Sequence, residues 1–272
     1  MSVIDTKDWL EQYLANKKQT FDENLLVQED TIIDAILPYF SSEDRVNLQW
    51  LLLSHGLFIP NSWNHEAIDT FIDHDFWQMT EQCFTELQSE WNGPDVPIIP
   101  LPSDHTNMQL IEEFNGVSGL SFPDKVILFI GKNTSKDQLR ALLTHEYSHA
   151  FRLHHLNRQP DSYTLMDTLV LEGVAEVAVR QRLGTEFLSK QIRNSSFEDA
   201  QILWKRWMEP NLHLSKNNPN HHALVYGNDE VPKLTGYIVG YFLIDSQYTP
   251  EKTKLVELMK QPTECFFLDH YF

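Results

Sequence analysis

The stretch Thr144-His145-Glu146-Tyr147-Ser148-His149 places two imidazoles and a carboxylate at H-E-x-x-H spacing. Residues four apart share one face of a helix, so His145 and His149 can present two ring nitrogens to one metal ion. Glu146, beside them, then reaches a water held by that ion. The chemistry this implies is metal-assisted hydrolysis with the carboxylate as general base. A hydrolytic zinc site generally takes three protein ligands and leaves a fourth position for water. Glu172, 23 residues after His149 in Leu171-Glu172-Gly173-Val174-Ala175-Glu176, is the expected third ligand. Alone, Glu172 and Glu176 would read as a solvated acidic pair; the H-E-x-x-H before them favours ligation. Glu176, one turn on, can accept a hydrogen bond from the free ring nitrogen of His145 and fix its tautomer.

This arrangement needs two helices. Ser135 can cap the first, with Gln138 three residues on, and Leu139, Leu142, Leu143 and Ala150 follow at helical spacing. No Pro or Gly interrupts the chain from Lys136 to Leu156, and the end is expected near His154-His155-Leu156-Asn157. His154 and His155 do not share the face of His145 and His149, and the helix macrodipole favours histidine at a C-terminus. The second helix is expected from Tyr163 to Leu183, stopped by Gly184. Gly173 lies inside it at a cost of about 1 kcal/mol against Ala, which close approach of the first helix would explain.

H-E-x-x-H followed by E-G-x-A-E on a second helix resembles the gluzincin metallopeptidases. The order from about Asn115 to Tyr241 is more specifically similar to the bacterial YjaZ-like family of predicted zinc-dependent proteases. It comprises the apolar run Val126 to Ile130, the two motifs, and a late G-Y-x-x-G-Y segment, Gly236-Tyr237-Ile238-Val239-Gly240-Tyr241. The resemblance implies a zinc cofactor, a peptide or protein substrate, and a strand ahead of the active-site helix that borders the cleft. The mechanism also wants a donor to the developing oxyanion. His221, His222, Tyr226, Tyr237 and Tyr241 are candidates; the family pattern points to Tyr237, and a hydrogen-bonded core tyrosine is the alternative there. Gly236 and Gly240, one turn apart, would let their segment pack tightly against a neighbour.

The rest of the chain bounds these readings. With 272 residues and 42% hydrophobic content it can build a real core. A formal charge of −18 opposes binding to nucleic acid or anionic membranes. Cys83 and Cys265 lack metal-ligand spacing and read as reduced thiols. The start, Met1-Ser2-Val3-Ile4-Asp5, has no basic region followed by an apolar run, and no stretch approaches membrane-spanning length, so a cytoplasmic location is expected.

The expected fold is α+β and mostly helical. Residues 1–92 should form a helical region and 93–272 a zinc-peptidase-like domain, with its β-containing part at 93–157 and a helical part at 158–272. In the first region Trp9, Leu10, Tyr13 and Leu14 form one apolar stripe, and Ile32, Ile33, Ile36, Leu37 and Phe40 form another that Asp30 could cap. Ser42 could start a third helix ending near Gly56, and a fourth should span Ile68 to Trp91. Trp9, Trp50, Trp63, Phe71, Phe76 and Trp77 read as core packing ahead of a ligand groove. Asn92-Gly93-Pro94-Asp95 is the clearest break. After it, Val96 to Leu101, with Pro97 and Pro100, suits an edge strand. Asn115 to Gly119 reads as a loop, and Val126 to Ile130 as a strand buried on both faces. Beyond Ser195 the chain should be mostly helical, with a polar loop from Lys216 to His222, a last helix from Leu255 to Met259 and a structural tail from Phe266 to Phe272. Endopeptidase action is preferred, because no second acidic group is evident to hold a free amine. The alternative function is a zinc-binding regulatory or interaction protein on a peptidase scaffold without turnover. Oligomeric state has no visible determinant.

Overall fold

The computed structural model describes residues 2–41, 43–251 and 253–267. The protein is mostly helical α+β, as expected, and packs as two compact units, Met1–Leu143 and Thr144–Phe272.

In the first unit, α1 (Lys7–Asn16) buries Leu10, Tyr13 and Leu14. A capping box of Thr20 and Glu23 starts α2 (Phe21–Gln28), and the chain continues through a π-helical turn, Glu29–Ile33, into α3 (Asp34–Ile36). Asp30 therefore caps nothing: with no breaker after Thr20, the helical run passes through it, and its carboxylate pairs with Arg45 instead. Asp44 caps α4 (Arg45–His55), accepting from the Asn47 N–H at 2.9 Å, and Gly56 closes it at φ +118°. Ser42, expected to start this helix, lies outside the described residues.

The long helix expected from Ile68 to Trp91 is two helices. Asn64 caps α5 (His65–Asp73), and Asp75 at φ +50° separates it from α6 (Phe76–Trp91); a short polar side chain tolerates that left-handed conformation. Trp63, Phe71, Phe76 and Trp77 form core, with ring centroids 4.9 to 5.6 Å apart. Trp50 departs from the expectation at 58% exposed.

The sheet follows the break after α6. It contains β1 (Ile98–Pro102), then, beyond α7 (Met108–Phe114), β2 (Ser118–Phe122) and β3 (Lys125–Ile130), in the order β1-β3-β2. Proline lacks a ladder donor, and β1 duly lies at an edge, parallel to β3. The apolar run of β3 is central and wholly buried. Residues 118–122, read partly as loop, pair antiparallel with β3 instead. Their Ser-Gly-Leu-Ser-Phe sequence has little β-propensity, and pairing to β3 supplies what propensity does not.

α8 (Lys136–Leu156) carries Thr144 onward into the second unit. The expected capping box holds: Gln138 N–H donates to Ser135 Oγ at 3.2 Å, and Ser135 N–H to Gln138 Oε1 at 2.8 Å. Thr164 and Asp167 box the start of α9 (Leu165–Leu183), which Gly184 ends. Then come α10 (Lys190–Arg193), α11 (Phe197–Leu203), α12 (Pro219–Tyr226), α13 (Thr235–Gln247) and α14 (Leu255–Lys260). Asn218 caps α12 with Pro219 at its first position, so His221 and His222 are helical rather than in a loop. Gly173 answers to α13, not to α8 as expected: a Cβ there would stand 2.1 Å from the Gly240 carbonyl oxygen. One on Gly240 would stand 2.4 Å from the Leu169 oxygen, and one on Gly236 2.9 Å from the Val225 Cα of α12. Of the expected tail, residues 268–272 lie outside the described residues. Among the described residues no helix is long and apolar enough to cross a membrane.

Candidate metal centre

The two motif helices each offer one face. On α8 the rings of His145 and His149, one turn apart, meet edge to face with their Nε2 atoms 3.0 Å apart. From α9, Glu172 Oε2 lies 3.3 Å from His145 Nε2 and 3.5 Å from His149 Nε2. His149, Glu172 and Glu146 are buried and His145 nearly so. Ligands of a tetrahedral zinc ion, each at about 2.0–2.2 Å, lie roughly 3.3 Å from one another, and the three observed edges bracket that value.

Two neutral imidazoles cannot aim lone pairs at each other across 3.0 Å without a proton or cation between them. Glu172 Oε2 is buried with no hydrogen-bond partner, a costly state for a carboxylate. One divalent cation would satisfy all three atoms, so this donor set fits zinc.

The electrostatics agree. Burial alone would lower the His145 imidazole, but Glu172 alongside it, with Glu146 and Glu176, pushes it up to about 9. Burial alone would raise the Glu172 carboxyl, yet the charges of His149 and His145 hold it well below the ordinary carboxylate range. Glu176 stands where expected, on the other side of His145, with Oε1 3.6 Å from Nδ1 and its partner oxygen accepting from the Ser189 N–H at 3.5 Å. Burial pushes its carboxyl up.

The five oxyanion candidates separate clearly. Tyr237, on α13, stacks over His145 at 6.3 Å between centroids and 11° between planes. Tyr226, at the end of α12, lies 5.8 Å from the Tyr237 ring, and the two phenols hydrogen-bond to each other. Burial, then the charge of Glu172, raises both phenols, so both are protonated donors at neutral pH. Tyr241 turns instead to Arg180, 5.9 Å from its ring. His221 meets Thr168 Oγ1 at 3.0 Å, and His222, exposed, packs on Tyr226. His154 and His155 are exposed at the end of α8.

Sequence reasoning missed Arg152. One turn after His149 it is buried, donating to the carbonyls of Met259 at 3.0 Å and Gln261 at 2.7 Å and to Thr263 Oγ1 at 3.1 Å. These bonds tie the end of α14 and the chain after it to the motif helix. Its place one turn after His149, on the same face of α8 as the two motif histidines, was the available signal.

A His-His-Glu donor set on an H-E-x-x-H helix and its neighbour defines a protein with a side-chain cluster that could hold a metal ion. The family model described as Predicted Zn-dependent protease (DUF2268) matches residues 76–267, and the chain belongs to this family. It is 31% identical over 269 residues to the uncharacterized protein YjaZ of Bacillus subtilis (strain 168), covering 98% of each chain. It is also 28% identical over 100 residues to the uncharacterized protein YjfC of the same organism, covering 36% of this chain and 33% of that one. No solved structure matches the chain. The likeness thus extends beyond the motif region, and with YjaZ it includes the N-terminal helices that the motifs left unplaced.

Proposed function

We propose that this protein is a zinc-dependent peptidase of gluzincin type, with His145, His149 and Glu172 as metal ligands and Glu146 as general base. The observation that carries this reading is the buried triangle of donor atoms, 3.0, 3.3 and 3.5 Å on its edges, with Glu146 next to His145 on the same helix. Zinc bound there would supply Lewis acidity and make a water acidic near neutral pH. Glu146 takes the proton of the attacking water and returns it to the leaving amine. Tyr237, its hydroxyl fixed by Tyr226, donates to the substrate oxygen as negative charge develops. Glu176 holds the His145 ring in orientation.

The substrate is a peptide or protein. Endopeptidase action is favoured because Glu146, Glu172 and Glu176 each already have a role, whereas an aminopeptidase needs a further acid for the free amine. The low cysteine count, Cys83 and Cys265 far apart in the sequence, supports a cytoplasmic location.

Elemental analysis of protein purified without added metal, beside Glu172→Ala, is the first test. About one zinc per chain, largely lost in the variant, is the expected result under the three-ligand rule. Digestion of a peptide library should then be abolished in Glu146→Gln with its zinc retained. Zinc present but no cleavage by the unaltered protein would leave a metal-binding protein without turnover and end the peptidase reading.

A further inference from the structure

The formal charge of −18 is not spread along the chain. Residues 19–124 contain nineteen acidic side chains and one Lys or Arg, Arg45, so this segment alone accounts for the whole net charge, and the remainder is balanced. Arg45 is itself consumed, lying within 3.2 Å of Glu29, Asp30 and Asp34. Within this acidic unit lies an apolar surface with no core role. Val46 and Trp50, one turn apart on α4, are 53% and 58% exposed, and Leu26 on α2 is 60% exposed. Gln49 joins the two helices side by side by donating to the Leu25 carbonyl at 2.9 Å and to Gln28 Oε1 at 3.2 Å. The half-buried Leu53 extends the α4 stripe by a further turn.

Acids flank this stripe: Asp22 and Glu23 precede Leu26 by one turn of α2, and Glu43 and the capping Asp44 immediately precede α4, on which Val46 is the second residue. Three large apolar side chains held in water, with a tryptophan among them, resemble the buried centre of an interface more than scattered surface residues. The acidic frame selects what covers them. A second copy would bring another segment of −18 against this one, and anionic lipid or nucleic acid would be repelled in the same way.

We infer that the stripe of Leu26, Val46, Trp50 and Leu53 is a docking surface for a basic amphipathic helix of a partner protein. Apolar anchors at helical spacing on the partner cover the stripe, and its Lys and Arg residues answer the acids around it. The inference is independent of the peptidase reading and concerns residues outside the metal centre.

The probe is a fluorescently labelled helical peptide of Lys and Leu with its leucines on one face, titrated into the full chain carrying Glu146→Gln so that cleavage does not intervene. Anisotropy should report binding that weakens as salt rises. A peptide of the same composition with its leucines scattered should bind about tenfold more weakly, and so should the pair Leu26→Ser with Trp50→Ala. Both replaced side chains are mostly in water, so the variant's thermal melt should match that of the unaltered fold. Equal affinity for the scattered peptide would reduce the effect to bulk charge attraction and overturn the inference. Undiminished binding by the variant, no binding at all, or a concentration-dependent dimer that the same variant abolishes would overturn it as well.

Discussion

A proton and a divalent cation compete for the same three atoms. With His145 held up to about 9 by Glu172 and its neighbours, the metal-free protein at pH 7 keeps a proton in the triangle. Zinc uptake at that pH should therefore release about one proton from the imidazole. Calorimetric titrations in buffers of different ionisation heat measure this directly, and identical heats across buffers would refute it. The sign of the pH dependence follows: a raised folded value means the proton adds stability to the metal-free protein below about 6.5, and that gain is lost as pH rises through about 9. Zinc affinity should accordingly increase over the same window. Tyr237 makes a different contribution. Its ring lies against His145 while its hydroxyl meets Tyr226, so Tyr237→Phe should lower kcat by about a hundredfold with KM and zinc content little changed. An unaltered kcat would pass the donor role to Tyr226 alone.

At the scale of elements, the placement of Tyr237 depends on how closely α13 approaches α9. Gly173 and Gly240 permit that approach, since a Cβ on either would meet backbone at 2.1 or 2.4 Å. Backbone cannot step aside as a flexible side chain can. Gly240→Ala should thus destabilise the fold by about 1–3 kcal/mol and lower zinc retention in a thermal melt read beside metal analysis. A melt unchanged from the unaltered protein would mean that the helices separate freely. The motif helices themselves were legible, with the start of α8 and the end of α9, because Ser135 with Gln138 and Gly184 are local signals; the box of Thr164 and Asp167 that starts α9 was not read. So was the edge position of β1, which prolines dictate. What Gly173 faces was not legible, because glycine announces a close approach without naming the partner. The strand at 118–122 was hidden for a related reason: pairing with β3 overrides its weak propensity. Asp75 split one expected helix in two because an αL aspartate leaves little trace in an apolar pattern, and Asp30 lost its expected cap because Thr20, upstream, begins a helix that never stops there.

The whole molecule joins a strongly acidic stretch to a balanced one, and this asymmetry should be visible in its stability. Like charges crowded into residues 19–124 repel one another in the folded state more than in the expanded chain. Salt screens that repulsion over a distance that falls below 10 Å at moderate ionic strength. The melting temperature should therefore rise by about 2–5 °C between low and several hundred millimolar NaCl, a shift equivalent to roughly 1 kcal/mol for a chain of this size. The location of the effect is the sharper prediction. Asp69→Asn with Glu86→Gln, both exposed and both in the acidic stretch, should flatten the salt dependence, whereas Glu186→Gln with Glu230→Gln, exposed in the balanced stretch, should leave it unchanged. Equal flattening by the two pairs would show that the chain responds to its total charge and not to where the charge resides. That result would also remove the local field by which the α4 stripe is expected to select a basic partner.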